Sequence, residues 1–219
     1  MKNVLCMLIV LAAGQLYAQK NIYESPRFDE LSQDHQTLAI LPFLTTLELR
    51  EANGTEALGD LEEKEGYAVQ NALETYFQNR RKKKKFPVSF QNIKDTRAKL
   101  AQKGISYKNM DVHTVPQLAE ILGVDGIISG SLDLNVLLSK GVPTEFSVAD
   151  YFTGNSNYGR IGMKISDGNT GKLLWKYEKQ IDKKTGKNTD DLIDRMMKLA
   201  IRKFPYERER KRDRKGNSN

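Results

Sequence analysis

Leu118-Ala119-Glu120-Ile121-Leu122-Gly123-Val124-Asp125-Gly126-Ile127-Ile128-Ser129-Gly130-Ser131-Leu132-Asp133-Leu134 is the stretch that decides the fold. Apolar residues at Leu118, Ala119, Ile121 and Leu122 continue a short helix that opens at Val115 behind Thr114, a residue whose hydroxyl accepts a hydrogen bond from a first-turn N–H. Gly123 ends that helix, because glycine enters the left-handed region without a Cβ penalty. From Val124 the pattern changes to a continuous apolar run, then to alternation at Ser131, Leu132, Asp133 and Leu134. A strand with that pattern is central and covered on both faces at its start and half exposed later.

Working outward, Arg160 to Ser166 and Lys172 to Gln180 predict two further strands around Asp167-Gly168-Asn169-Thr170-Gly171. That turn is rich in residues that tolerate positive φ, so the connection is an antiparallel hairpin. Behind it, Thr189 is expected to cap a final helix with Leu192, Met196, Ala200 and Phe204 on one stripe, widened by Ile193, Met197 and Ile201 and stopped by Pro205. Its methionines read as core filler. Upstream, Thr37 to Phe43 is a strand-length apolar run whose Pro42 marks an edge or bulge. From Glu56, Leu58, Leu61, Ala68, Val69, Ala72, Leu73, Tyr76 and Phe77 keep helical spacing, Pro87 to Gln91 alternates as a strand, and Asp95 to Lys103 reads as a helix stopped by Gly104. The chain therefore reads as one α+β domain, a mixed β-sheet with helices packed on it, closed by a C-terminal helix and a disordered basic tail.

The ends carry different signals. Residues 1–18 read as a signal peptide: Lys2 gives the positive start, Val4 to Ala13 the apolar stretch, and Leu16-Tyr17-Ala18 the cleavage site before Gln19. The single cysteine, Cys6, lies inside that leader, so the exported chain forms neither a disulfide nor a thiolate metal site. Asn3-Val4-Leu5 in front of Cys6 is the wrong setting for a lipidated cysteine, and the expected form is not a lipoprotein. Residues 19–36 are an extended lead-in, 37–204 the folded domain and 205–219 the charged tail. No apolar run reaches the roughly 18 residues of a membrane-spanning helix.

The formal net charge of +7 suggests a nucleic-acid partner until it is located. Arg80, Arg81, Lys82, Lys83, Lys84 and Lys85 form one run, and residues 202–215 hold eight basic and three acidic residues. Without these and Lys2 the body has 20 basic and 25 acidic side chains, so the domain is mildly acidic. The first run closes a predicted helix, where cations complement the negative end of the macrodipole. Its functional alternative is peripheral contact with an anionic membrane surface, at roughly 1 kcal/mol per nearby cation. No nucleic acid is expected as a partner of an exported protein.

No catalytic motif stands out. His35 and His113 lack a second ligand at helical or hairpin spacing and read as surface or turn residues. Ser129-Gly130-Ser131 does not satisfy the nucleophile elbow, and Gly168-Asn169-Thr170-Gly171-Lys172 lacks phosphate-loop spacing. Glu62, Glu63 and Glu65 fall on a hydrated helix face, and Asn53-Gly54-Thr55 is a glycosylation sequon without further support. The expectation is no catalytic residue, no cofactor and no metal.

Three blocks in order, Leu38 to Phe43, Leu118 to Ser131 and Ile165 to Trp175, resemble the superfamily that joins the curli secretion protein CsgG, the penicillin-binding-protein activator LpoB and the TolB N-terminal domain. The resemblance spans residues 37–204 and implies a periplasmic α/β module that works by protein contact and carries no active site. Channel-forming members insert two lipid-facing hairpins. Val136 to Tyr158 stands in the first position, but Lys140, Glu145, Asp150, Asn155 and Asn157 leave no clean apolar face, and nothing between Gln180 and Asn188 supplies the second. The segment reads instead as a loop whose Phe146, Tyr151, Phe152 and Tyr158 anchor a partner, or as rings packed on the sheet. The expected function is that of an exported, non-catalytic envelope adaptor or assembly factor whose partner is another envelope protein. The alternatives are an oligomeric component of an outer-membrane secretion system, a homo-oligomer in that case, and an unrecognised periplasmic enzyme or small-molecule binder.

Overall fold

The computed structural model describes residues 22–48, 55–81, 86–135, 137–138, 157–182, 188–200 and 204–206. In chain order the elements are β1 (Ile22–Glu24), α1 (Phe28–Ser32), β2 (Thr37–Ile40), β3 (Leu44–Leu47), α2 (Thr55–Arg81), β4 (Ser89–Phe90), α3 (Ile93–Gln102), a 3₁₀ turn (Tyr107–Val112), α4 (Val115–Leu122), β5 (Gly126–Leu134), β6 (Asn157–Asp167), β7 (Leu173–Asp182) and α5 (Thr189–Ala200). The strands form one seven-stranded mixed sheet in the order β1-β7-β6-β5-β2-β4, with β3 also paired to β5. This is the α+β architecture expected from the sequence.

The decisive stretch behaves as its pattern predicts. Thr114 and Gln117 form a reciprocal capping box, and Gly123 closes α4 in the left-handed region at φ 65°. Gly126, Ile127 and Ile128 are all buried, whereas Ser131 and Asp133 are exposed between buried Leu132 and Leu134. Two apolar layers explain the change. Leu38, Ile40, Ile128 and Leu132 face the large core beneath α2 and α5, while Ala39, Leu41 and Ile127 face a smaller one with Leu100, Leu118 and Leu122 from α3 and α4. The smaller layer covers only the start of β5.

β2 and β3 lie on the same edge of β5, at Leu38–Ile40 against Gly126–Ile128 and at Leu44–Leu47 against Ser131–Leu134, all parallel. The sequence pattern predicted one strand to Phe43. The Leu41 N–H still donates to the Ile128 carbonyl at 2.9 Å, and the ladder breaks at Pro42-Phe43, where Pro42 has no N–H and the Phe43 N–H turns to the Gly66 carbonyl at 3.2 Å. β3 then resumes the ladder. Its Thr45 N–H donates to the Tyr107 hydroxyl (2.8 Å) and its Leu47 N–H to the Glu62 carboxylate (3.0 Å), so side chains satisfy two groups of a strand edge. Gly130 is fixed by close approach: a Cβ there would overlap the Gly162 carbonyl and the Phe43 ring.

Two helix starts differ from expectation. α5 is capped by Asn188, whose Oδ1 accepts from the Asp191 N–H at 2.9 Å, rather than by Thr189, which is buried as the first helical residue. α3 begins at Ile93 behind Asn92, whose Oδ1 accepts from the Lys94 N–H, two residues before the expected Asp95.

The C-terminal boundary also moves. Phe204, Pro205 and Tyr206 are buried, although Pro205 and Tyr206 were expected to belong to the tail. Phe204 sits 5.5–5.6 Å, centroid to centroid, from Phe77, Phe86 and Trp175, and Tyr206 packs edge-on to Phe28 at 5.3 Å. A short aromatic segment carries no periodicity, so its burial comes from the pocket between α1, α2 and β7 that receives it.

Candidate functional site

Where α1 ends, the chain turns through His35 into β2, and β6 ends at Asp167 in the hairpin turn. The sheet order brings these two points and the C-terminal segment together. The Asp167 Oδ1 lies 3.0 Å from His35 Nε2, and His35 Nδ1 lies 2.6 Å from the Tyr206 hydroxyl. With Asp167 ionised, Nε2–H donates to the carboxylate and Nδ1 accepts the phenol proton. Both the His35 and Asp167 side chains are 5% exposed. Of the reading of His35 as a surface or turn residue, the first half is corrected: the side chain is buried, although the residue directly follows the turn at Gln33-Asp34. His113, by contrast, lies at the end of the 3₁₀ turn, half-buried, as a turn histidine.

Asp167 holds more than the imidazole. Its Oδ2 accepts from the Thr170 N–H at 2.7 Å and from the Thr170 hydroxyl, closing the turn as an Asx motif. Burial raises its pKa, but the hydrogen bonds from Thr170 and then from His35 outweigh it and hold the carboxyl below its ordinary value. Asp125, from the decisive stretch, is likewise committed to backbone: its Oδ2 accepts from the N–H groups of Gln36 and Thr37 at 2.9 and 2.8 Å and pins the start of β2. The Gly168 N–H then donates to the Asp125 carbonyl at 2.8 Å, tying the turn to the end of α4.

Between α1, α4 and this turn lies an open cleft of about 610 Å³. His35 and Asp167 line it with the apolar Pro116, Ala119 and Val124, and Asp34, Glu120 and Asp125 add carboxylates; among the described residues that line it there is no lysine or arginine. Among the described residues, no group of three or more histidine, cysteine, aspartate or glutamate side chains is placed to hold a metal ion.

Phe146, Tyr151 and Phe152 lie outside the described residues, as do Lys82, Lys83, Lys84 and Lys85, and Tyr158 is described only as backbone in β6. Arg80 and Arg81 occupy the last turn of α2 as expected, with the Arg80 guanidinium 5.5 Å from the Tyr76 ring centroid, a cation–π contact. Sequence reasoning missed the His35–Asp167–Tyr206 chain. Asp167 stood in a quoted block but read only as a turn residue, and nothing local couples residues 132 and 171 positions apart.

No family model matches the chain, and no curated protein matches it. Solved structures similar to it include lipoprotein GNA1162 from Neisseria meningitidis, at 12% identity and TM-score 0.44 over 76% of this chain and 94% of that one. The LpoB C-terminal domain from Salmonella enterica is similar at 13% identity and TM-score 0.36, over 72% of this chain and 94% of that one. A PelC dodecamer from Paraburkholderia phytofirmans is similar at 9% identity and TM-score 0.32, over 74% and 86%. LpoB is one of the proteins whose superfamily the three sequence blocks resemble.

Proposed function

We propose that this chain is an exported cell-envelope protein that acts without catalysis, as an adaptor or assembly factor in contact with another envelope protein. The observation that carries this reading is the β5–β6 ribbon. Its register holds from Gly126↔Asp167 to Leu134↔Gly159, so the chain between the two strands leaves from one end of the sheet. That connection contains Phe146, Tyr151 and Phe152 and ends at Tyr158 in β6, a concentration of the aromatic residues that dominate contact energies. The polar groups at the other end of β5 support the same reading: Asp125, Asp167 and His35 are engaged in holding backbone and one another.

The test is site-specific photocrosslinking in the native host, with the crosslinker at residue 151 and a control at residue 112 on the 3₁₀ turn, followed by mass spectrometry. One defined envelope protein captured at 151, absent at 112 and lost in Phe146→Ala/Phe152→Ala, is the expected result. A homo-oligomer extracted only by detergent would replace the adaptor by the secretion-system reading, and equal capture at both positions would remove the assigned role of the loop.

A further inference from the structure

Arg97 of α3 lies over the Tyr67 ring of α2, its guanidinium carbon 4.4 Å from the ring centroid. Its Nε–H donates to Gln70 Oε1 at 2.7 Å and one Nη2–H to Asn71 Oδ1 at 2.8 Å. Gln70 is fully buried, and its Nε2 donates in turn to the Ile40 carbonyl of β2 at 2.6 Å. Two amides and a ring therefore hold the cation in one orientation, and one of those amides is anchored in the sheet.

Both amide oxygens are neutral, and among the described residues no carboxylate forms an ion pair with Arg97. Glu74, which acts on it from farther away, has its Oε1 taken by the Ile93 N–H at 3.0 Å, and Glu63 acts on the Tyr67 and Tyr107 hydroxyls instead. Burial holds the guanidinium below its ordinary pKa, so the cation gives up hydration without a salt bridge in return. Of the five N–H donors of a guanidinium, the second Nη2–H and both on Nη1 stay unused, and they form the end-on fork that fits a carboxylate.

The surroundings suit an anion. Lys64 stands three residues before Tyr67 on α2, and Lys94 three before Arg97 on α3, spacings that keep each on the same helix face as the residue it precedes. Both lysines are exposed and have no partner among the described residues. The Tyr107 ring, 6.0 Å from that of Tyr67, widens the aromatic part. An oriented arginine beside tyrosines is the composition that carries most binding energy at protein interfaces.

We propose that Arg97 is the centre of a second docking surface, between α2 and α3, for an acidic segment of the envelope protein that this chain contacts. One carboxylate of that segment meets Nη1 and Nη2 end-on, and its acidic neighbours face Lys64 and Lys94. The inference rests on the adaptor reading and adds to it a partner chemistry that the aromatic loop does not specify.

The test places a photocrosslinker at residue 101, exposed one turn beyond Arg97, in the full chain in its native host. The partner peptide captured there, sequenced by mass spectrometry, should be rich in aspartate or glutamate. Its yield should fall at least about tenfold in Arg97→Lys, which keeps the charge and loses the fork. Because Arg97 also ties α3 to α2, a second variant, Lys64→Gln/Lys94→Gln, leaves that tie intact; it should melt with the parent chain and lower the yield about fivefold, the effect of losing two exposed charge pairs. Capture at residue 151 should be unchanged in both variants, so a loss confined to 101 separates this surface from the loop. With the purified chain, a hexaglutamate peptide should shift the Arg97 Nε–Hε signal and a hexaglutamine peptide should not. No capture at 101, a captured peptide without acidic residues, a peptide of this chain's own sequence, yield unchanged in Arg97→Lys, or an Arg97 signal indifferent to hexaglutamate each overturns the proposal. Capture at 101 with none at 151 would instead remove the loop and leave this surface standing.

Discussion

Changing Tyr206 to Phe removes a single oxygen from the C-terminal pin and leaves its ring in place. The ring is fully buried, and its contact with Phe28 persists in the variant. What is lost is the 2.6 Å bond to His35 Nδ1. A typical hydrogen bond contributes about 1 kcal/mol net, and an acceptor left buried without its donor costs about 1–3 kcal/mol more. Because the His35 side chain is only 5% exposed, water replaces the phenol poorly, and the expected loss is about 2 kcal/mol. For a domain of this size that is a fall in Tm of about 4–8 °C. Tyr206→Ala, which also empties the ring site, should cost about 3–5 kcal/mol. Urea denaturation followed by Trp175 fluorescence gives both values, and a cycle with His35→Ala isolates the pair. In the cycle the Tyr206→Phe penalty should shrink by about 1 kcal/mol or more once His35 is absent. Full additivity, or a Tyr206→Phe variant as stable as the parent, would refute the pin and return Tyr206 to the tail.

Three further outcomes are expected. The folded-state pKa of Asp167 lies below its unfolded value, so its contribution is present above about pH 4 and is lost as the pH falls through the folded value; Asp167→Asn should flatten that part of an acid-denaturation curve and lower stability at pH 7. Gly130→Ala should destabilise by about 3 kcal/mol or more or prevent folding, since backbone and a buried ring meet the new methyl, whereas Gly59→Ala, with open space around it in the second turn of α2, should be neutral to stabilising by about 1 kcal/mol in thermal melts. Tyr107→Phe should cost about 1–2 kcal/mol, because the Thr45 N–H and the Phe43 carbonyl both lose their hydroxyl partner, and hydrogen exchange at Thr45 should accelerate while exchange at Ile128 stays unchanged.

The decisive stretch and the two blocks that flank it show how far a single sequence reaches. Capping at Thr114, termination at Gly123, the shift from continuous to alternating burial along β5 and the Asp-Gly hairpin after β6 were all legible, because each is settled by residues within a few positions of one another. Period and capping chemistry are local, and so they are written in the chain. The division of charge between a mildly acidic body and two basic runs was legible for the same reason. Tertiary structure alone decided the rest. β3 became a strand because β5 offered it a free edge after Pro42 interrupted the first pairing, and its own four residues hold too little pattern to announce it. Asp125 read as part of a strand and Asp167 as a turn residue until the sheet set one beneath the start of β2 and the other against a histidine 132 positions away. His35 carries no sign of burial in its neighbours, and Tyr206 looked like the first residue of a tail; each is buried because α1, the β6–β7 turn and the C-terminal segment converge on one end of the sheet. Contacts at such separations depend on the order of strands, which leaves no period in the sequence to read.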